Sequence, residues 1–215
     1  MDANIAPQFV HWKQVIPEAD LIFTRLRDEV QWNEIVWRRG RKLPRLCARS
    51  VQQTEVGALL AEWLVMFFRV GYGVVVNISD IFGNHYRTGN DWLPHHRDQY
   101  DDLHVVSLSF GATRKFSLTP SLQKGVKAVA ESVPHSFDLS AGDIFIFDPT
   151  TNHHYTHGIA KQPGVKTARI NLTCFVHFNK LPYQLPRLGG EILSPSEVFV
   201  LAMIEAETNG GEIPW

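Results

Sequence analysis

The sequence predicts an α+β fold whose core is mainly β structure, preceded by two helices and followed by a short one. Between Gly71 and Phe178, short runs of β-branched and aromatic residues alternate with turn residues, and no helical period separates them. The segment before Gly71 instead has apolar residues at helical spacing. Short strands in succession are typical of a barrel or a two-sheet sandwich. The 215 residues suffice for one domain of about 100–200 residues.

Two amphipathic helices are predicted in the first third of the chain. The first covers residues 17–31 and begins at Pro17, a residue favoured in the first helical turn. Its apolar positions are Leu21, Phe23, Leu26 and Val30. The second covers residues 52–68. Its apolar face consists of Val56, Leu59, Leu60, Trp63, Leu64 and Phe67.

The following region is predicted to contain six strands. They cover residues 74–78, 105–110, 115–118, 136–139, 144–147 and 168–176. Turn residues such as the pairs Gly111-Ala112 and Pro163-Gly164 separate them. Residues 119–133 are predicted to form a loop or a short helix between two strands.

The C-terminal part is predicted to be a linker and a short helix. Residues 181–190 contain two prolines and a Gly-Gly pair, and a capping box at Ser194 then opens a helix that ends at Glu205. The chain is therefore divided into helices at 1–70, a β core at 71–178 and an extension at 179–215, all within one predicted domain.

Composition excludes several classes of protein. With 21 Lys+Arg against 22 Asp+Glu, a strongly basic nucleic-acid coat is excluded, although the basic run at residues 38–49 leaves room for a local patch. Two cysteines, Cys47 and Cys174, are too few for a disulfide scaffold and predict free thiols. No apolar run spans a membrane and no secretory signal is visible, so we expect an intracellular protein, cytoplasmic or nuclear. Nothing in the sequence predicts the oligomeric state.

The histidines supply the clearest chemical signal. His96 and Asp98 are two positions apart, so on an extended segment their side chains lie on one face. With His157 they would form two histidines and one carboxylate, the facial triad of non-haem Fe(II) oxygenases. The alternative is a solvated His/Asp loop. His95, His153 and His154 compete as ligands, but only His96 has the His-x-Asp spacing.

Arg169 is the second signal, because it lies within the β-rich run at residues 168–173. A buried arginine on a strand needs an anionic partner, since an unpaired buried charge is costly. A dicarboxylate co-substrate would provide one, and the planar guanidinium matches a carboxylate with two hydrogen bonds. The alternative is an ion pair with an internal Asp or Glu.

Six sequence pieces in order resemble the AlkB family of 2-oxoglutarate- and Fe(II)-dependent dioxygenases. They are Asn84-x-Tyr86-x-x-Gly89, His96-Arg97-Asp98, the run 106–112, Ser140-x-Gly142-Asp143, His157-Gly158 and Arg169-Ile170-Asn171-Leu172-Thr173. The ordered match covers about 90 residues. An earlier element, Pro44-Arg45-Leu46, also resembles one that precedes the catalytic core of that family.

The resemblance implies a fold and a site. The fold would be a double-stranded β-helix, or jelly roll, with N-terminal helices that buttress one sheet. Fe(II) would be held by His96, Asp98 and His157, and Arg169 would pair with the distal carboxylate of 2-oxoglutarate. The co-substrate site would be completed by Asn84, Tyr86, Asn171 and Thr173.

The resemblance also implies a reaction. With O2, 2-oxoglutarate would be oxidised to succinate and CO2, and a substrate C–H bond would be hydroxylated. Oxidative demethylation of N-alkylated bases in DNA or RNA is the leading hypothesis, which makes nucleic acid the expected partner. Two alternatives stay open: the same chemistry on a base methyl, a protein side chain or a small molecule, and a binding module without turnover.

The sequence departs from the family pattern at two positions. The family usually has a second arginine six positions after the first, where this chain has Phe175. His177 or Arg114 could hold the co-substrate instead. Some members carry an acidic residue two positions after the metal aspartate, where this chain has Tyr100, which could stack on a base.

Three residues are predicted to contact the substrate: Arg45, Trp92 and Tyr100. Arg45 belongs to the basic run that the resemblance places in a nucleic-acid-facing lid, where Lys and Arg side chains would neutralise phosphates. Trp32 or Trp37 could stack on a flipped base there, or both could simply be packed. Trp92 lies four residues before His96, on the expected rim of the site.

Overall fold

The computed structural model describes residues 6–36, 40, 42–121 and 134–179. Within them, eleven strands form two antiparallel sheets. The strands are β1 (Phe9–Trp12), β2 (Asn33–Val36), β3 (Lys42–Ala48), β4 (Val76–Tyr86), β5 (Leu93–His96), β6 (His104–Gly111), β7 (Arg114–Pro120), β8 (His135–Leu139), β9 (Ile144–Phe147), β10 (Tyr155–Ile159) and β11 (Arg169–Phe178). The helices are α1 (Ala19–Glu29), α2 (Glu55–Tyr72) and α3 (Pro149–His154).

The strands wind as a jelly roll, as the sequence predicts. The large sheet has the order β1-β9-β6-β11-β4-β3-β2, and the small sheet has the order β5-β10-β7-β8. From β4 to β11 the chain passes back and forth between the two sheets, so residues distant in sequence face each other across the sandwich.

Helices α1 and α2 cover the outer face of the large sheet. On α2, Leu60, Leu64 and Phe68 are buried in one apolar cluster with residues of the sheet, which confirms the predicted buttressing role. The helix runs several residues further than the predicted span 52–68. It begins after Thr54, whose hydroxyl accepts from the backbone N–H of Gly57, and it ends at Gly73, which adopts a left-handed conformation with φ 61°.

Strand β11 shows how the sandwich separates core from cavity. Its even-numbered residues, such as Ile170 and Leu172, pack against the helices in the first apolar cluster. Its odd-numbered residues, such as Arg169 and Asn171, face the space between the sheets. A second apolar cluster, which includes Phe116, lies between the sheets beside this space.

The structure extends and corrects the predicted elements. All six predicted strands are present, but β4 continues to Tyr86 because its polar residues Asp80 and Asn84 lie on a ladder with β11 that the apolar pattern does not reveal. Strands β1, β2, β3, β5 and β10 were not predicted. Residues 119–120 extend β7, and the rest of the predicted loop at 122–133 lies outside the described residues. The predicted linker and C-terminal helix also lie outside them. Within the described ranges, no helix is long and apolar enough to cross a membrane.

Candidate metal and co-substrate site

The structure brings His96, Asp98 and His157 together. Strands β5 and β10 pair antiparallel with His96 directly opposite His157, and Asp98 follows the end of β5. The Nε2 atoms of the two histidines lie 3.5 Å and 3.4 Å from the two carboxylate oxygens of Asp98. One ligand atom from each residue lies within 4.8 Å of the other two. This arrangement suits a cation held on one face.

Hydrogen bonds fix the orientation of two of these groups. The Nδ1 atom of His96 lies 3.1 Å from the carbonyl of Pro94 and 3.2 Å from that of His157. Because a carbonyl only accepts, Nδ1 must carry the proton, which leaves the Nε2 lone pair free for a metal. Asn152 accepts from the backbone N–H of Asp98 at 3.0 Å and donates to its carbonyl at 3.1 Å. Sequence reasoning missed Asn152, which carries no motif signal.

Electrostatics favour the ionisation states that bind a metal. Burial lowers the pKa of His157 to about 4, so its imidazole is neutral at physiological pH. Burial acts to raise the pKa of Asp98, but its interactions with His96 and His157 outweigh that effect, and the pKa is lowered. The Oδ2 atom of Asp98 is buried without a hydrogen-bond donor. The neutral imidazole of His157 and the under-coordinated carboxylate of Asp98 fit Fe(II).

The competing histidines lie elsewhere. His95 is exposed, and its ring nitrogens contact the hydroxyls of Thr156 at 3.3 Å and Ser117 at 3.0 Å. His153 and His154 lie at the end of α3, with their ring centroids 4.9 Å apart. Among the described residues, neither set joins a group of three metal-ligand side chains.

Arg169 is fully buried and has open hydrogen-bond donors. Its Nη2 atom donates to the hydroxyl of Ser109 at 3.0 Å, whereas Nε and Nη1 are buried without a partner. The guanidinium lies 5.6 Å from the centre of the Tyr86 ring. Burial lowers its pKa to about 10, which still leaves it charged at neutral pH. No described carboxylate forms an ion pair with it, so the predicted alternative of an internal ion pair is not what the structure contains.

The other predicted co-substrate residues line the same cavity. Asn171 donates to the hydroxyl of Ser107 at 2.7 Å, Thr173 donates to Asn171 at 3.1 Å, and Asn84 donates to Asn171 at 3.4 Å. The cavity has a volume of about 530 Å³ when the solvent-open space at its mouth is included. It contains the triad together with Arg169, Tyr86, Asn84, Asn171 and Thr173.

The predicted substrate residues take three different places. Arg45 lines the cavity and is only 7% exposed. Tyr100 lies outside, 38% exposed, with its ring 4.3 Å from that of Phe175, which does line the cavity. Trp92 is half-buried beneath the ammonium group of Lys161 at 5.8 Å, and its backbone N–H donates to the carbonyl of Pro44 at 3.1 Å.

The two predicted substitutes for a second arginine do not reach the cavity. Arg114 is buried, and its donors are taken by the carbonyls of Thr88, Asp91 and Ala160 and by the side chain of Gln162. Arg114 therefore holds together the segments around residues 88–91 and 160–162. His177 lies on β11 after the last residue of that strand that lines the cavity, and its side chain is exposed to solvent.

For Trp32, the structure favours the packed alternative over the stacking role. Its indole N–H donates to the carbonyl of Leu26 at 3.1 Å, and its ring lies 5.2 Å from that of His85. A Cβ added at Gly83 would lie 2.9 Å from the Trp32 ring, so this tryptophan is packed against β4. Trp37 and the arginines at positions 38, 39 and 41 lie outside the described residues.

Comparison with known proteins defines the class. Residues 75–174, which include the triad, Asn84 and Arg169, match the 2OG-Fe(II) oxygenase superfamily. The structure of OsALKBH1 shares the fold with a TM-score of 0.51 and 17% identity, over 80% of this chain and 98% of that one. The epimerase SnoN from nogalamycin biosynthesis also shares the fold, with a TM-score of 0.56 and 12% identity, over 87% of this chain and 89% of that one. This chain is a 2-oxoglutarate-dependent dioxygenase, whose chemistry uses Fe(II) and O2.

Relatives in sequence narrow the class. The DNA oxidative demethylase ALKBH2 of Mus musculus is 27% identical over 176 residues, 73% of this chain and 74% of that protein. Its Homo sapiens counterpart is 26% identical over 176 residues, which cover 73% of this chain and 67% of that protein. The alpha-ketoglutarate-dependent dioxygenase alkB homolog 3 of Rattus norvegicus is 27% identical over 191 residues, which cover 78% of this chain and 61% of that protein. Over about three quarters of its length, the chain is therefore similar to AlkB-type dioxygenases at 26–27% identity.

Proposed function

We propose that this enzyme oxidatively demethylates N-alkylated bases in DNA or RNA. The observation that carries the proposal is one cavity that contains both a metal-ligand triad and a buried arginine with open donors. The similarity to DNA oxidative demethylases over about three quarters of the chain supports a nucleic-acid substrate.

Each group in the cavity has a proposed part. His96, Asp98 and His157 would hold Fe(II), and the open donors of Arg169 would bind the distal carboxylate of 2-oxoglutarate. When bound, metal and co-substrate supply the oxidising power for hydroxylation, with O2 as oxidant. One oxygen atom converts 2-oxoglutarate to succinate and CO2, and the other enters the N-methyl C–H bond. The N-hydroxymethyl product then loses formaldehyde and leaves the base with an N–H.

The walls of the cavity protect this chemistry from water. Leu93, Phe116, Phe147 and Ile159 line it beside the triad, so the space available to the reacting carbon is apolar. Exclusion of water strengthens the electrostatic hold of Arg169 on an anion and limits side reactions of the oxidant.

Tyr100 would contact the base at the mouth of the cavity. Its ring centre lies 4.3 Å from that of Phe175, which lines the cavity, and the side chain is 38% exposed, so part of it is accessible from solvent. Stacking of a base on such a ring contributes about 1–3 kcal/mol. Substitution of Tyr100 by Ala should therefore raise KM for an oligonucleotide about 5- to 150-fold, whereas Tyr100→Phe retains the ring and should leave KM nearly unchanged.

The test is a paired product assay on DNA and RNA oligonucleotides that carry one N-methylated adenine or cytosine. We expect succinate and formaldehyde in equal amounts, and neither product with Asp98→Ala. Succinate without formaldehyde would contradict demethylation and indicate hydroxylation of another substrate. Absence of both products from a folded, iron-loaded protein with every substrate would indicate a non-catalytic binding module.

A further inference from the structure

Arg45 is a second buried arginine in the cavity. It lies on β3, is 7% exposed and lines the same space as the triad and Arg169. Its Nε atom donates to Oδ1 of Asn84 at 2.6 Å. Its Nη1 atom is buried and has no partner among the described residues. Because a buried cationic donor without an acceptor is costly, this atom is expected to meet an anion in the functional state.

The charges around Arg45 limit what that anion is. Asp98 is the one carboxylate among the described residues of the cavity lining, and its oxygens face the Nε2 atoms of His96 and His157. Arg45 therefore has no described protein carboxylate within the cavity to pair with. An anionic ligand bound in the cavity would supply the acceptor that the described residues lack.

The chain also lacks a cation at a position where the family usually has one. Phe175 occupies the place of the second arginine, and its ring packs on Tyr100 at 4.3 Å instead of offering donors. The co-substrate carries two carboxylates, whereas Arg169 is suited to only one of them. The described part of the cavity lining offers one further guanidinium, that of Arg45.

Asn84 connects Arg45 to the residues that surround the co-substrate space. It accepts from Arg45 and donates to Asn171, which in turn accepts from Thr173. This continuous series of hydrogen bonds holds the Arg45 guanidinium against the polar side of the cavity. We infer that Arg45 replaces the missing arginine and binds the carboxylate next to the keto group of 2-oxoglutarate, while Arg169 binds the distal one.

The test measures binding without any nucleic acid, so its outcome does not depend on the proposed substrate. Fe(II)-loaded protein is titrated anaerobically with 2-oxoglutarate, and Kd is read from the visible charge-transfer band. Loss of a charge-assisted hydrogen bond should raise Kd about 10- to 100-fold in Arg45→Met. Arg49→Met is the matched control, because Arg49 is exposed near the end of the same strand and outside the cavity lining, and it should bind like the wild type.

A second ligand identifies the carboxylate involved. The monoacid 2-oxopentanoate keeps the keto acid end of the co-substrate but lacks the distal carboxylate. Arg45→Met should weaken its binding by the same factor as that of 2-oxoglutarate, whereas Arg169→Met should weaken 2-oxoglutarate far more than the monoacid. Equal binding of 2-oxopentanoate by wild type and Arg45→Met, with weakened 2-oxoglutarate, would overturn the assignment to the keto acid end.

A rescue variant separates a binding role from a structural one. Phe175→Arg introduced into Arg45→Met returns a guanidinium to the cavity, and it should recover at least part of the lost affinity for both ligands. An unchanged Kd in Arg45→Met, together with a raised KM for methylated oligonucleotide, would overturn the inference and assign Arg45 to the substrate. If Arg45→Met does not fold, Arg45→Lys decides. It keeps a charge but removes the open Nη1 donor, so a raised Kd for both ligands would support the inference and an unchanged Kd for both would overturn it.

Discussion

At the scale of single residues, several of the buried polar atoms that lack a hydrogen-bond partner belong to side chains of the cavity. Nε and Nη1 of Arg169, Nη1 of Arg45 and Oδ2 of Asp98 are all buried without a hydrogen-bond partner among the described residues. Buried polar groups in proteins are nearly always paired, so these atoms indicate ligands rather than defects of packing. They comprise three donor atoms on two guanidinium groups and one carboxylate acceptor, which matches an anionic co-substrate and a metal cation.

Asn152 should govern how tightly the triad holds its metal. Substitution of Asn152 by Ala removes both hydrogen bonds that fix the backbone of Asp98. Outer partners of metal ligands typically contribute 10- to 100-fold to affinity, so we expect Kd for Fe(II) to rise by about that factor. The measurement is anaerobic Fe(II) titration. Asn90→Ala, at an exposed loop position, should bind iron like the wild type, and equal affinities in the two variants would contradict the role.

His104 should make the protein less stable in acid. Burial lowers the pKa of His104, with the charge of Asp148 opposing and that of His177 adding to the shift. The unfolded chain therefore binds a proton more readily, and stability that is present above the ordinary pKa of about 6.5 is lost as pH falls below it. We expect Tm of the metal-free protein to fall between pH 7.5 and pH 5, and less steeply in His104→Leu. Parallel curves for the two proteins would refute this contribution.

At the scale of elements, the pairing of β5 with β10 builds the metal site. The ladder places His96 opposite His157, and the backbones approach closely because Gly158 lies between them. A Cβ added at Gly158 would lie 2.8 Å from the carbonyl oxygen of Leu93 and 3.2 Å from the backbone N of His95. Since both neighbours are backbone atoms, a larger residue must push the strands apart.

Gly158→Ala should therefore impair the site more than the fold. Displacement of β5 moves His96 away from His157, and we expect Fe(II) affinity to fall about 10-fold or more. Gly164→Ala is the matched control, because an added Cβ there meets nothing within 4 Å. Iron titration of both variants, with far-UV circular dichroism to confirm folding, tests the expectation. Wild-type affinity in Gly158→Ala would show that the strands tolerate the methyl group.

At the scale of the whole molecule, stability and chemistry occupy opposite faces of the large sheet. The helices and the apolar residues beneath them form one cluster, and the cavity lies on the other face between the sheets. Alternation along β11 assigns each residue to one side or the other. This separation permits buried charges in the cavity while a continuous apolar core maintains the fold.

Leu64→Ala should accordingly reduce stability without altering the site. Leu64 is fully buried on α2, and truncation of such a side chain costs about 2–5 kcal/mol of unfolding free energy. We expect a lower denaturation midpoint with an unchanged Kd for 2-oxoglutarate at low temperature. Leu21→Ala is the control, because Leu21 is 58% exposed and its loss should change stability by less than about 0.5 kcal/mol. A parallel loss of co-substrate affinity in Leu64→Ala would show that core and cavity are coupled.

Much of this architecture could be predicted from local patterns. The short apolar runs gave six strands, because side chains alternate along an extended chain and the turn residues between them are distinctive. Strands such as β3 and β5 escaped prediction because their basic, proline and histidine residues carry no apolar alternation. Helix α2 ends at Tyr72 instead of the predicted residue 68, because the next residue, Gly73, adopts a left-handed conformation that stops the helix.

The sequence by itself determined the type of fold, the spacing of the candidate metal ligands and the presence of a buried arginine on a strand. Strand alternation and the His96-x-Asp98 spacing are local, because they depend on neighbours a few positions away, whereas His157 lies 61 positions from His96 and was assigned to the triad with the help of the family resemblance. Only the tertiary structure decided that Arg45 shares a cavity with Arg169, that Tyr100 packs on Phe175 and that Arg114 is fully engaged elsewhere. Those relations join segments between about 20 and 120 positions apart, and they depend on how the two sheets stack, which no local pattern encodes.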